Sequence, residues 1–221
     1  MKIKAVVFDM DGLMLDTEPL YKKAWQLAST ELGYEIDDTF YAKFIGRPTS
    51  DCEVLLLRKF GSDFPLDPFR LRWPQLWQNE AAKGIPIKAG LPEILTFLKH
   101  NGLSFAVATS SDAEHTEISL RRAGLDGCFG IVVTGDEVLR GKPAPDIYIE
   151  AARRLRIDAS QCMALEDSEV GIIAAREAGM LAVLIPDLVG PTDPAVEAAS
   201  FILGSLHEAR DLLTNMLINR R

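Results

Sequence analysis

The chain has 221 residues, 48% of them apolar and 25% charged, an ordinary balance for a folded globular protein and enough for one large domain or two smaller ones. Its 24 basic residues against 32 acidic ones give a net charge of −8, which argues against a nucleic-acid partner, because such a partner favours a basic face. No apolar run reaches the roughly 18 residues of a membrane span and no secretory leader opens the chain, so the expectation is a cytoplasmic protein with no membrane partner.

The first predicted element is a strand, Lys4-Ala5-Val6-Val7-Phe8, short, apolar and β-branched, ending in Asp9-Met10-Asp11-Gly12. In open α/β sheets ligands bind at the carboxyl edge of the strands. Aspartates two apart on a continuing strand point to one side, and their repulsion is relieved by a cation or a shared proton. The plainer alternative is a strand-end turn, since Asp and Gly favour turns.

Residues 18 to 83 read as helical, with no convincing strand. Leu20, Ala24, Leu27, Ala28 and Leu32 fall at helical spacing before a stop at Gly33. Ser50 to Glu53 reads as a capping box leading into Val54–Leu57, and Asp67-Pro68 as a helix start with Pro at the first helical position. Pro74 is expected to kink or restart that helix. The segment is therefore an insertion after the first strand, with connections near Leu15–Glu18 and Gly84–Lys88, where a lid would hinge.

From about residue 100 strands and helices alternate. Leu103–Ala108 reads as a strand, and a Ser111–Glu114 capping box opens a helix that ends before Gly124. Gly130–Thr134 reads as a strand, and a helix starts at Asp146. Cys162–Leu165 and Leu181–Ile185 are further strands, with a helix from about Val170 to Ala178 between them. Ser205–Glu208 is a third capping box, opening the last helix. Such alternation implies a parallel sheet covered by helices on both faces. Cys52, Cys128 and Cys162 are an odd number without a close pair, so they read as reduced thiols, and three unpaired histidines argue against zinc.

Three more groups fall after the later strands. Thr109-Ser110-Ser111 offers hydroxyls and the free N–H groups of a helix start, an anion site or an ordinary N-cap cluster. Lys142, held between Gly141 and Pro143, is a point charge suited to phosphate, or a plain loop lysine. Glu166-Asp167-Ser168 could complete a hard-cation site of oxygen ligands with Asp9 and Asp11, or supply an N-cap through Asp167 or Ser168. Taken together, acids, hydroxyls and one lysine at successive strand ends suit magnesium-assisted phosphoryl transfer.

On these residues the chain resembles the haloacid dehalogenase superfamily, in its phosphatase branch with a helical cap inserted after the first motif. Asp9-Met10-Asp11-Gly12 with Asp16-Thr17-Glu18, Thr109-Ser110, Lys142-Pro143 and Glu166-Asp167-Ser168 look like its four motifs in order. The resemblance implies an α/β fold: a Rossmann-like parallel sheet core with helices on both faces, from residues 1–16 and 85–221, plus an all-α helical cap from 17–84. It implies Asp9 as nucleophile, forming an aspartyl-phosphate, and Asp11 as general acid and then base. It implies Thr109, Ser110 and Lys142 as phosphate ligands, and Mg2+ held by Asp9, Asp11, Glu166 and Asp167. The expected partner is a small phosphorylated metabolite, a sugar phosphate above all, bound by a monomer.

The presence of Asp11 argues against dehalogenation, where that residue is replaced. Relative to the β-phosphoglucomutase group, Tyr21 stands where a cap histidine is found, and Arg47 lies near a cap-loop arginine position now held by Thr49. Asp112 and Ala113 stand where that group binds a second phosphate, and an aspartate there is repulsive. These departures favour a phosphomonoesterase over a sugar phosphomutase. A phospho-accepting receiver module and a catalytically silent binding protein are the alternatives of another class. Specificity is expected from Tyr21, Trp25 and the Gly46-Arg47-Pro48 loop, whereas Trp73 and Trp77 read as cap core.

Overall fold

The computed structural model describes residues 2–47 and 49–218, so Pro48 of the expected specificity loop lies outside the described residues. They form two compact units. One runs to Asp16 and resumes at Pro86; the other is Thr17–Ile85.

The first unit is a parallel six-stranded sheet in the order β3-β2-β1-β4-β5-β6. Its strands are β1 (Ala5–Phe8), β2 (Ser104–Ala108), β3 (Val132–Val133), β4 (Cys162–Glu166), β5 (Leu181–Leu184) and β6 (Phe201–Ile202). Every residue of β1 and β4 is buried, as befits central strands covered on both faces. Ala5 and Val7 face a core built with Ile147, Tyr148, Ala151, Ile172 and Ala175. Phe8, on the opposite face of the pleat, meets Phe129 edge-on at 6.3 Å. β1 lies between β2 and β4, so the chain leaves it in opposite directions and the carboxyl ends open a crevice there.

The helices that cover the sheet are α5 (Leu91–His100), α6 (Ala113–Arg122), α7 (Asp146–Leu155), α8 (Glu169–Glu177), α9 (Asp193–Ala198) and α10 (Leu206–Ile218). The expected α6 cap shifts by one residue: Asp112 accepts from the His115 N–H, which frees the Ser111 hydroxyl for another partner. At α10 only half of the expected capping box forms. The Glu208 N–H donates to Ser205 Oγ at 3.3 Å, but the Glu208 carboxylate takes the Gly204 N–H instead. Helices α5 and α9 and strand β6 were not read from the sequence.

The second unit holds α1 (Glu18–Glu31), α2 (Asp38–Tyr41), α3 (Thr49–Phe60) and α4 (Leu66–Ala81), with no strand among its described residues. Two expectations need correction. Ser50 lies inside α3, one residue past its start, rather than capping it. α4 begins at Leu66 and runs through Pro74 without interruption, with Asp67-Pro68 inside its first turn, where the missing proline N–H costs no helix bond. Packing outweighs the penalty of Pro74, since Phe69, Leu76, Trp77 and Ala81 of α4 are all buried. Trp25 of α1 anchors this unit, with ring contacts to Phe44, Phe69 and Trp73 at 5.2, 5.1 and 5.8 Å. Among the described residues no helix is long and apolar enough to cross a membrane, and the three cysteines are free thiols.

Candidate active site

The strand ends of the first unit bring the expected groups together. Asp9 follows β1 directly, its N–H donating to the Leu165 carbonyl at 3.0 Å, so it is fixed beside the end of β4. Glu166 is the last residue of β4 and fully buried. Lys142 reaches between them, with Nζ 2.5 Å from Asp9 Oδ1, 2.5 Å from Glu166 Oε1 and 3.1 Å from the Ala108 carbonyl oxygen at the end of β2. The three ammonium protons therefore have three acceptors. The peptide bond between Lys142 and Pro143 is cis.

Glu166 is satisfied at every point. Besides Lys142 it accepts from the Tyr148 hydroxyl at 2.6 Å, the Ser168 hydroxyl at 3.0 Å and the Ser168 N–H at 3.2 Å. Ser168 also caps α8, accepting from the Gly171 N–H, so the capping alternative holds for Ser168 alongside its role at Glu166. Asp167 joins Asp9 and Glu166 in a cluster with one carboxylate oxygen from each lying within 4.8 Å of the others. Two glycines make room for it. A Cβ on Gly12, whose φ is +84°, would collide with the Asp167 carboxylate, and one on Gly171 would collide with that of Glu166.

The electrostatics follow from burial. Burial pushes the Asp9 carboxyl up to about 8, helped by the Glu166 and Asp11 charges and opposed by Lys142. Burial likewise drives Asp167 well above the usual carboxylate range, with Asp9 and Glu166 adding to it. For Lys142 burial alone would lower the pKa, but Asp9 and Glu166 outweigh it and hold the ammonium charged. Fully ionised, the three carboxyls would carry more negative charge than one lysine balances, and this adds to burial in driving Asp9 and Asp167 up. An all-oxygen, carboxylate-rich donor set with that imbalance fits a hard divalent cation such as Mg2+.

Asp11 lies two residues beyond Asp9. Its Oδ2 accepts from the Ser111 hydroxyl at 3.0 Å, while Oδ1 is buried with no hydrogen-bond partner among the described residues. Its carboxylate is not part of the three-acid cluster. Thr109 is buried at the end of β2, its N–H bonded to Val133 and its hydroxyl accepting from the Ser111 N–H at 3.1 Å. Ser110 is exposed at the tip of this turn, packed so tightly under Gly135 that a Cβ there would strike the Ser110 carbonyl. Asp112 spends its carboxylate on the cap of α6.

Tyr21 and Arg47 belong to the other unit, where both line a cavity of about 220 Å³ together with Glu18, Trp25, Tyr41 and Trp73. Tyr41 donates to Glu18 at 2.8 Å. The expectation that both later tryptophans are core is half corrected. Trp77 is 2% exposed, whereas Trp73 is half-buried and lines the cavity, 6.0 Å from the Tyr21 ring. Sequence reasoning missed Tyr148, which reads as one more apolar position of α7, and Gly171, an unremarkable glycine early in a helix.

A profile of haloacid dehalogenase-like hydrolases matches residues 3–179. The chain belongs to that family. It is 31% identical over 178 residues to the phosphorylated carbohydrates phosphatase of Thermotoga maritima, covering 80% of this chain and 82% of that one. It is 34% identical over 181 residues to a fructose-1-phosphate phosphatase of Escherichia coli, covering 80% and 94%. Among solved structures, a protein provisionally called a beta-phosphoglucomutase from Thermotoga maritima superposes with a TM-score of 0.82 at 28% identity, over 97% of this chain and 99% of that chain. The chain is thus a haloacid dehalogenase-like hydrolase with the α/β sheet and helices of that group.

Proposed function

We propose that this hydrolase is a Mg2+-dependent phosphomonoesterase that acts on a small phosphorylated carbohydrate through an aspartyl-phosphate on Asp9. The observation that carries this reading is Lys142 held between Asp9 and Glu166 at 2.5 Å from each, a fixed cation touching the one carboxylate placed to attack. The names of two relatives at 31% and 34% identity, both phosphatases of phosphorylated sugars, support the substrate class.

Asp9 attacks phosphorus with a carboxylate oxygen while the ester P–O bond breaks, and Asp11 gives its proton to the departing sugar oxygen. Water then attacks the phosphorus of the acyl phosphate, Asp11 takes its proton, and the P–O bond to Asp9 breaks to release phosphate. Lys142 neutralises charge on the phosphoryl oxygens, and the Thr109 hydroxyl and Ser110 N–H hold them at the start of α6. Ser111 fixes the rotamer of Asp11 through the bond to Oδ2. Asp9 and Asp167, with the Asp11 backbone carbonyl, would hold Mg2+, which supplies further positive charge for the transferring group, while Glu166, its oxygens taken by Lys142, Tyr148 and Ser168, backs the site from behind. Tyr21 and Arg47 in the cavity of the helical unit are proposed to select the sugar.

The test is a phosphate-release screen with Mg2+ over hexose, pentose and hexitol phosphates, nucleotides and glycerol phosphates. Release from the sugar and hexitol phosphates at least tenfold faster in kcat/KM than from nucleotides is expected. Equal turnover of all classes would remove the carbohydrate assignment, and no release from any would remove the esterase.

A further inference from the structure

Away from the strand-end cluster, α6 and the chain from Leu125 to Glu137 enclose a second cavity of about 370 Å³. This lies in the size range of small-molecule sites. Its floor is apolar, formed by Leu120, Leu125, Phe129 and Val132. Its charged residues are all acids: Glu117, Asp126 and Glu137, with no lysine, arginine or histidine in the lining. Glu117 and Glu137 already pair with Arg121 and Arg154, which stand outside the lining, while Asp126 is exposed and has no ion pair among the described residues. Thr116 also lines the cavity. It is 2% exposed, and its hydroxyl has no hydrogen-bond partner among the described residues, a costly state for a buried polar group.

We propose that this cavity is a second small-molecule site, taking a compact amphipathic amine: an apolar ring or branched chain on the floor and a cationic head at the acidic mouth. The charge pattern argues against the phosphorylated substrate itself, since every charged residue of the lining is an acid and none is a base. The proposal stands whether or not the phosphatase reading does.

The site shares a wall with the turn that holds Asp11. Thr134 lines the cavity, and the next residue, Gly135, donates its N–H to the Ser111 carbonyl at 2.8 Å. Ser111 in turn holds Asp11 at 3.0 Å. An occupant pressing on Thr134 therefore reaches the catalytic acid through two hydrogen bonds, a coupling carried by named contacts.

The test is an amide NMR titration of the 15N-labelled protein with phenethylamine, and with phenylacetate as the anion of like shape. Phenethylamine is expected to shift the amides of Thr116, Gly135 and Ser111 and to bind at least tenfold more tightly than phenylacetate. Leu120→Trp, which fills the floor, is expected to abolish these shifts. The paired exposed changes Glu117→Gln and Asp126→Asn leave the core untouched and are expected to weaken phenethylamine at least threefold. Equal affinity for the two probes, no shift at Thr116, or full binding by the Glu117→Gln/Asp126→Asn variant would each overturn the proposal.

Discussion

Ser111 and Asp11, a hundred residues apart on neighbouring strand ends, are joined by a 3.0 Å hydrogen bond from the serine hydroxyl to Oδ2. That bond leaves Oδ1 as the oxygen without a partner among the described residues. It exists because Asp112 rather than Ser111 caps α6. Replacing Ser111 by Ala frees the Asp11 side chain without touching Asp9 or Lys142. We expect kcat to fall about tenfold, within the range of acid–base positioning effects, with KM nearly unchanged. A variant with wild-type kcat would show that Asp11 needs no such support.

Asp9→Asn keeps the size of the side chain and its burial, so the fold should persist. Turnover is expected to drop at least a hundredfold, as for any member of a unit that acts together. Residual activity above one hundredth in a clean preparation, with an unchanged circular dichroism spectrum, would remove Asp9 as nucleophile.

Lys142→Met leaves Glu166 buried without its cation. Breaking one side of a buried ion pair costs about 3 kcal/mol or more. We expect a loss of that order in urea unfolding and no measurable turnover. The double variant Lys142→Met/Glu166→Gln removes the uncompensated charge and should recover much of the stability but none of the activity. If the double variant is no more stable than the single one, the lysine's role in the fold is packing over the Tyr148 ring, 5.1 Å away, rather than charge.

Removal of divalent metal should abolish turnover and lower the melting temperature, because a ligand of the folded state alone stabilises it by about 2.7 kcal/mol at a hundred times its Kd. Gly12→Ala, whose Cβ would displace the Asp167 carboxylate, should lose most of this Mg2+-dependent melting shift. A shift equal to wild type in that variant would place the metal elsewhere.

The strands that build the site were legible because they are buried on both faces, and burial writes a continuous apolar run that stops at the first acid. Phe8-Asp9 and Leu165-Glu166 are such stops. Lys142 alone reads equally well as a loop lysine, and it gained meaning only beside the other strand-end groups and the resemblance they carry. Tyr148 was not legible at all: its ring belongs to the apolar stripe of α7, and only its hydroxyl, reaching Glu166 at 2.6 Å, belongs to the site. The helix starts were misread by one or two residues for a local reason. Ser111 and Asp112 are both good caps; Asp112 takes the cap and the Ser111 hydroxyl bonds Asp11 instead. In the same way Pro74 looks like a restart only until the buried face of α4 is seen to continue past it.

The chain leaves the sheet unit and re-enters it through adjoining backbone. Leu15 bridges Ile87, the Asp16 N–H donates to the Pro86 carbonyl at 2.8 Å, and the Lys88 N–H donates to the Met14 carbonyl at 2.9 Å. Lys88 adds ion pairs to Asp16 at 3.0 Å and Asp187 at 2.5 Å. Exit and return are thus stapled together by the sheet unit itself. The ends of the inserted segment are held in place at no cost to the insert, whatever its length, because the closure entropy grows only slowly with length. Such a socket accepts lengthening, shortening or wholesale replacement of what it carries while β1 and its two aspartates stay in register. If Tyr21 and Arg47 select the sugar as proposed, exchange of this one module would change the substrate preference and leave the strand-end aspartates as they are.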